Sequence, residues 1–353
     1  VHNNVKKNIE SVQVLRGLAA LAVVCYHTYI ILMEPQYGSH VVFQGFAKYG
    51  FLGVSFFFVL SGFIIYLAHD KDLGVPSSVP TYIYKRAARV YPAYWVYLTL
   101  FLLAAAVGIG YPDFSWHPIN LISSYILFPL DGGAISLPLK VAWTLVYEVR
   151  FYLLFIVLLL FGRRALWGFV GWAGVIIVGY FAGWFLPFDL LSLWNLYFLM
   201  GMLGFVLLKH IPERLGAVVF MAGMLLFVLY AVLGSEIIRI ANLSEERFSY
   251  LHFILGPSFW CIIIGAILIE RRYALRYPSL LRFFGDASYS VYLVHSAVIS
   301  VLTQISMKFG VIDAIGPHAY FLVAFLIAAS AGGVAYRLVE QPLIGVFARL
   351  RTS

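Results

Sequence analysis

The sequence is poor in charge. Asp, Glu, Lys and Arg make up 11% of its 353 residues, under half of the roughly 25% usual in soluble domains. That scarcity excludes a soluble globular enzyme and a disordered chain. The chain holds two cysteines, Cys25 and Cys261. Both sit inside apolar blocks, so they read as small buried side chains and not as a disulfide scaffold. No metal-ligand spacing of the His-Glu-x-x-His kind is present, and neither a nucleophile elbow nor a P-loop, so no metal site is expected. The ten-residue alternating segments of a transmembrane barrel are also missing. No cleavage site follows the first apolar block, which is therefore kept as a span.

What is abundant is apolar surface. Hydrophobic residues reach 62% and mean hydropathy is +0.91. Apolar blocks of about 20 residues recur, the length a helix needs to cross roughly 30 Å of hydrocarbon. The expected fold is an all-α polytopic membrane protein, one integral-membrane domain over 1–353 with about ten spans. They are placed at 11–33, 46–68, 83–108, 141–161, 165–186, 190–209, 215–234, 251–269, 285–307 and 318–340. A shorter apolar stretch at 119–130 is expected to be re-entrant or interfacial.

Ten spans place both termini on one side. With that side cytoplasmic, only Lys48, Lys140, Arg239, Arg247 and Lys308 lie outside, and Arg150 lies within a span. The rest of the 24 Lys and Arg residues are cytoplasmic. Positive charge retained inside favours this orientation. It also accounts for the net charge of +8, so no nucleic-acid partner is expected. The longest outward segment, 109–140, holds Tyr111-Pro112-Asp113, Trp116-His117-Pro118 and Asp131-Gly132-Gly133, turn residues and aromatics suited to a cap over an outward cavity.

An ionisable group within a span costs roughly 2.5–3.5 kcal/mol at the bilayer centre, so each one calls for a reason. Arg16 and His27 are eleven residues apart on the first span. They share a face and stand about 16 Å apart along the axis. The pair fits an active stripe, or a snorkelling arginine with a histidine bonded to a neighbouring helix. Glu148 follows Trp143-Thr144-Leu145 at the start of the fourth span, at the depth inferred for His27. A carboxylate there can orient the imidazole, or it can lock helices through Arg150 or Arg16. Arg86 and Arg89, next to Lys85, share a helix face at the inner end of the third span. That suits phosphate, and equally suits ordinary flanking charge. Ser288, Tyr292 and His295 form one polar stripe on the ninth span, either a site or an interhelical seam. Ser61 can add a hydroxyl, whereas Gly62, Gly201 and Gly204 read as close helix packing.

Taken together these segments resemble the integral-membrane acyltransferase family 3, the polysaccharide O-acyltransferase group. The carrying residues are Arg16 and His27 after Leu15, and Phe56-Phe57-Phe58-Val59-Leu60-Ser61-Gly62-Phe63. Arg86, Arg89 and Pro92 follow, then Trp143-Thr144-Leu145 with Glu148, then Ser288-Tyr289-Ser290 with Tyr292 and His295. Arg337 to Glu340 with Pro342 close the series. The resemblance spans nearly the whole chain in order. It implies transfer of an acyl group from acyl-CoA (acetyl-CoA or succinyl-CoA) to a sugar hydroxyl of an exopolysaccharide, lipopolysaccharide or lipid-linked glycan. It also implies a bacterial inner membrane home and a stand-alone member without an added hydrolase-like domain.

In that reading Arg86, Arg89 and Lys85 hold the CoA phosphates. His27 is the general base or a transient acyl carrier, helped by Glu148, with Arg16 at the channel mouth. Ser288, Tyr292, His295, Ser61, Trp143 and Arg150 face the acceptor or the acyl group, Arg150 as the cation a succinyl group would want. Partners beyond acyl-CoA, the acceptor and membrane lipids are polysaccharide-synthesis proteins. The rival class is a transporter or flippase for a lipid-linked glycan or a small anion. Buried His and Glu would suit it, but no paired repeat halves are visible.

Overall fold

Apolar runs with few internal breakers form helices, and in hydrocarbon the helix is the fold that satisfies its own backbone. A computed structural model describes residues 9–109, 114–132, 135–184, 186, 189–241 and 245–350, with the backbone alone for 233–241 and 245–254. Tyr111, Pro112, Asp113 and Gly133 of the outward segment lie outside the described residues, as do Lys6, Lys7 and Arg351.

The described residues hold helices and no strand: α1 Glu10–Met33, α2 Leu52–His69, α3 Val79–Ala106, α4 Pro118–Ile126, α5 Trp143–Phe161, α6 Leu166–Ala182, α7 Trp194–Leu208, α8 Gly216–Ala241, α9 Glu245–Tyr273, α10 Ser279–Asp286, α11 Ser288–Lys308, α12 Pro317–Ala335 and α13 Gln341–Leu350. Each of the ten predicted segments coincides with a helix. Among the described residues, seven stretches are long and apolar enough to cross a membrane. One of them, Lys140–Ala182, holds two predicted spans. α7, with 15 residues, is shorter than its predicted span. The protein is an all-α polytopic membrane protein.

The contacts divide the chain into two units. The first comprises Val1–Ala19, Leu52–Asp70 and Leu196–Asp286. Here α2 and α7 meet backbone to backbone. A Cβ on Gly62 would stand 2.0 Å from the Phe198 carbonyl oxygen, and one on Gly201 would stand 1.9 Å from that of Val59. The glycines are packing residues, as their setting in apolar spans implies. The start of α1 is held by Glu270, whose carboxylate oxygens accept from the Glu10 and Ser11 N–H groups at 3.0 and 2.7 Å. Those amides lack an intrahelical partner, and a negative charge suits the positive helix end.

The second unit comprises Ala20–Phe51, Lys71–Asn195 and Ala287–Ser353. α11 lies along α12, where a Cβ on Gly332 would meet the Val291 Cα at 2.5 Å. The short helix α4 is too short to cross and is tied to α3 by three aromatic donors. Tyr94 and Tyr91 hydroxyls donate to the Ser124 and Ile126 carbonyls at 2.7 Å each, and Trp95 Nε1 donates to Tyr125 at 2.9 Å. The last carbonyls of a helix need such outside partners. Between α12 and α13, Tyr336–Glu340 forms one π turn, an irregularity often found at functional sites.

Gly201→Ala is expected to lower stability by about 1–3 kcal/mol through overpacking. Gly171→Ala, whose Cβ meets nothing within 4 Å, should leave it unchanged or slightly raise it. Thermal unfolding in one detergent would compare the two. Equal midpoints would contradict the α2–α7 contact.

Candidate functional site

The site is built around two imidazoles in the second unit. His27 comes from the latter half of α1 and His295 from α11, two turns past its start. His27 Nδ1 lies 3.1 Å from His295 Nε2 and 2.9 Å from the Val23 carbonyl oxygen, one turn back on its own helix. His295 Nδ1 lies 3.1 Å from the Val291 carbonyl oxygen, again one turn back. The ring centroids are 4.7 Å apart with an interplanar angle of 66°. Tyr26 meets the His27 ring edge-on at 5.4 Å. His295 is fully buried and His27 half-buried.

These contacts decide where the protons are. A carbonyl oxygen only accepts, so Nδ1 of each neutral ring carries its hydrogen. His295 Nε2 is then a bare lone pair, facing the Nδ1–H of His27. The His27 hydrogen is shared between Val23 and His295. His27 Nε2 is left as a lone pair with no hydrogen-bond partner among the described residues. An imidazole held this way is a base and a nucleophile at one defined atom.

Next along α11, toward its start, is Tyr292. Its hydroxyl donates to the Val141 carbonyl at 3.0 Å and lies 3.1 Å from Thr144 Oγ1, from which it accepts. The predicted stripe of Ser288, Tyr292 and His295 is therefore real. All three residues are buried. For Tyr292 and His295, expected on the acceptor side, the polar atoms are bonded within the protein.

Thr144, Glu148 and Tyr152 are four residues apart and share one face of α5. Tyr152 donates its hydroxyl to Glu148 Oε1. Above its ring, at 5.8 Å, sits the Arg86 guanidinium of α3. The expected Glu148–His27 pair does not form. His27 is partnered by Val23, His295 and the Tyr26 ring. Rise per residue gives a position along a span; it does not give the direction a side chain faces.

Arg86 and Arg89 also part company. Arg89 Nη1 pairs with Glu340 Oε1 at 2.7 Å, and its guanidinium lies 5.8 Å from the Tyr289 ring. Glu340 is 1% exposed. Its other oxygen accepts from the Ser290 hydroxyl at 2.6 Å and the Ser290 N–H at 3.2 Å. Tyr97 in turn donates to Ser290 Oγ at 2.8 Å. Glu340 thus caps the start of α11 with a charge. Sequence reasoning placed it in a closing block but not in the site. A glutamate within an apolar run was the available signal. Arg86, in contrast, makes no ion pair among the described residues, and its Nε is buried without a partner. Lys85 beside it is half-buried.

Arg150 is 6% exposed and pairs with Asp189 at 3.1 Å. The cation expected to suit a succinyl group thus already has a carboxylate partner, while its buried Nε has none. Its guanidinium also covers the Tyr147 ring at 5.0 Å. Trp143 meets Tyr147 and Trp194 edge-on at 5.8 and 5.2 Å. Arg16 and Ser61 belong to the first unit. There Arg16 Nη1 donates to Gln13 Oε1 at 3.3 Å, and Ser61 is half-buried on α2.

Residues 9–337 match a family model described as "Acyltransferase domain", the acyltransferase 3 family. The exopolysaccharide production protein ExoZ of Rhizobium meliloti is 29% identical, over 84% of this chain and 90% of its own length. Nodulation protein 10 of Rhizobium leguminosarum is 25% identical, over 96% and 93%. The peptidoglycan O-acetyltransferase OatA of Listeria monocytogenes is 24% identical over 96% of this chain, which spans 56% of that longer protein. No solved structure matches. Motif order, helical architecture and a family match over nearly the whole length agree: the chain belongs to the integral-membrane acyltransferase family 3.

Proposed function

We propose that this protein transfers an acetyl or succinyl group from cytoplasmic acyl-CoA to a sugar hydroxyl of an exopolysaccharide, lipopolysaccharide or lipid-linked glycan. The observation that carries the reading is the free Nε2 lone pair of His27. Poised beside a thioester, it takes the hydroxyl proton as oxygen attacks the carbonyl carbon. The same atom suits the covalent variant, in which His27 holds the acyl group between two transfers. A thioester is already activated, so one base does much of the work. The printed names of the relatives, exopolysaccharide production and peptidoglycan O-acetylation, support a glycan acceptor.

For the donor, Arg86 is the better phosphate ligand, because it makes no ion pair among the described residues and its Nε is buried without a partner, whereas Arg89 is paired with Glu340. Lys85 assists. Arg89 acts as a structural partner of Glu340. Arg16, on the same helix as His27, serves the donor side. The setting is a bacterial inner membrane with both termini cytoplasmic, in company with polysaccharide-synthesis proteins.

Purified protein in nanodiscs, given acetyl-CoA and succinyl-CoA separately, is expected to bind one and release thiol. His27→Ala should lower that release by about 10²–10⁴-fold, the usual worth of a general base, with folding intact. Full turnover by a folded His27→Ala would sink the reading. No binding of these or longer acyl-CoA donors by folded wild type would shift it to a glycan or anion transporter. Arg86→Ala is expected to weaken CoA binding about 10–100-fold, the worth of a charged hydrogen bond. Arg89→Ala should instead cost stability, about 3 kcal/mol, by stranding the buried Glu340. Calorimetry and thermal unfolding separate the two, and an unchanged CoA affinity in Arg86→Ala removes the phosphate role. With Cys25 and Cys261 replaced, a cysteine at Trp116 should be labelled by an impermeant reagent from outside only. Labelling from the cytoplasmic side contradicts the orientation.

A further inference from the structure

We propose that His295 is a positioning residue: its Nε2 lone pair receives the Nδ1–H of His27 and holds that ring in the tautomer and orientation that leave His27 Nε2 bare. The proposal rests on His27 as the general base and deepens that reading. It reassigns His295 from the acceptor to the base.

The argument runs along the hydrogen bonds. The Val291 carbonyl takes the Nδ1–H of His295 at 3.1 Å. In a neutral, fully buried ring this leaves Nε2 as an acceptor and nothing else. That acceptor lies 3.1 Å from His27 Nδ1. Were His27 protonated on Nε2 instead, two lone pairs would face each other there and the Val23 carbonyl, 2.9 Å away, would lose its donor. Were the His27 ring turned over about its Cβ–Cγ bond, Nδ1 would leave both acceptors. Val23 sits on the same helix as His27 and moves with it. His295 stands on a different helix and is the group that fixes the ring against the rest of the unit. His295 itself has no spare donor for an oxyanion or a sugar, since both of its nitrogens are occupied.

A neutral imidazole in this role avoids a buried carboxylate beside the base. In hydrocarbon that charge would need its own partner. The reaction balances without a change at His295. The acceptor O–H proton moves to His27 Nε2 as the O–C bond forms. The C–S bond then breaks with its electron pair on sulfur, and the same proton passes from His27 to the thiolate. His295 holds its own proton on Nδ1 throughout and accepts from His27 at every stage, more strongly when His27 is an imidazolium.

The test uses the full chain in nanodiscs with ¹⁵N-labelled histidine, His27 being assigned by difference from His27→Ala. Wild type is expected to show a protonated Nδ1 and a bare Nε2 on His27, with a through-hydrogen-bond N–N coupling to His295. His295→Leu removes the acceptor. It should lower the kcat of acetyl-CoA or succinyl-CoA turnover by about 10²–10³-fold, less than the roughly 10⁴-fold seen when a triad base loses its orienter, with KM for the donor within about twofold. His295→Gln puts an amide oxygen near the lost Nε2 and should restore most of the kcat. Protonation of His27 on Nε2 in wild type overturns the proposal, and so does wild-type kcat in His295→Leu, or a loss confined to KM. If His295→Leu does not fold, the wild-type coupling decides alone: its presence supports the assignment and its absence overturns it. A fully active, folded His27→Ala overturns the base itself, and the proposal with it. An inactive His27→Ala with no N–N coupling overturns the positioning role alone.

Discussion

A buried carboxylate in a membrane protein has to be surrounded by donors, and Glu340 is the place where this chain meets that demand in full. Arg89 supplies the opposite charge, and Ser290 supplies its hydroxyl and its backbone N–H. The N–H belongs to the first turn of α11, whose N–H groups have no acceptor within the helix. One interaction thus satisfies a charge and seats a helix. Tyr292 and His295 follow within the next turn and a half, each locked to a partner of its own, and His27 takes its place from His295. In the first unit Glu270 caps α1 by the same device.

The polar groups along this route are arranged by charge in an uneven way. Arg89 and Arg150 are each paired with a carboxylate. The two imidazoles are neutral and bonded to each other. Arg86, facing Tyr152, makes no ion pair among the described residues. An aromatic ring stabilises a guanidinium by a fraction of what a carboxylate does, so the attraction left for an incoming anion is larger at Arg86 than at Arg89. The proposed base, for its part, needs no charge until a reaction makes one. In the proposed reading the electrostatic pull lies at Arg86, on the donor side, and the imidazole end stays uncharged.

The helices were legible because crossing hydrocarbon leaves a coarse mark, a run of apolar residues of fixed length. The short segment after α3 was legible for the same reason in reverse, since α4 is too brief to cross. The candidate site is legible in part. Arg16, His27, Glu148 and His295 stand out because each is an ionisable group in a costly place. Their pairing does not. Rise per residue gives depth, and depth put Glu148 beside His27. The azimuth that sends Glu148 to Tyr152 and His27 to His295 depends on how the helices roll against one another. The partners of Arg89 and Arg150 come from Glu340 and Asp189, which are 251 and 39 residues away in sequence. No local pattern reports a contact at that distance.

The π turn at Tyr336–Glu340 makes one rod serve two neighbours. An α-helix advances about 100° per residue, and a π turn inserts roughly one residue's worth of rotation. The stripe of small residues with which α12 lies on α11, Gly332 among them, would otherwise continue in phase into α13. After the slip α13 is clocked differently, and it meets α3 through the Tyr84 hydroxyl and the Phe347 carbonyl at 2.7 Å. Losing Leu338 or Val339 here would remove no polar side chain, yet it would re-clock everything beyond it.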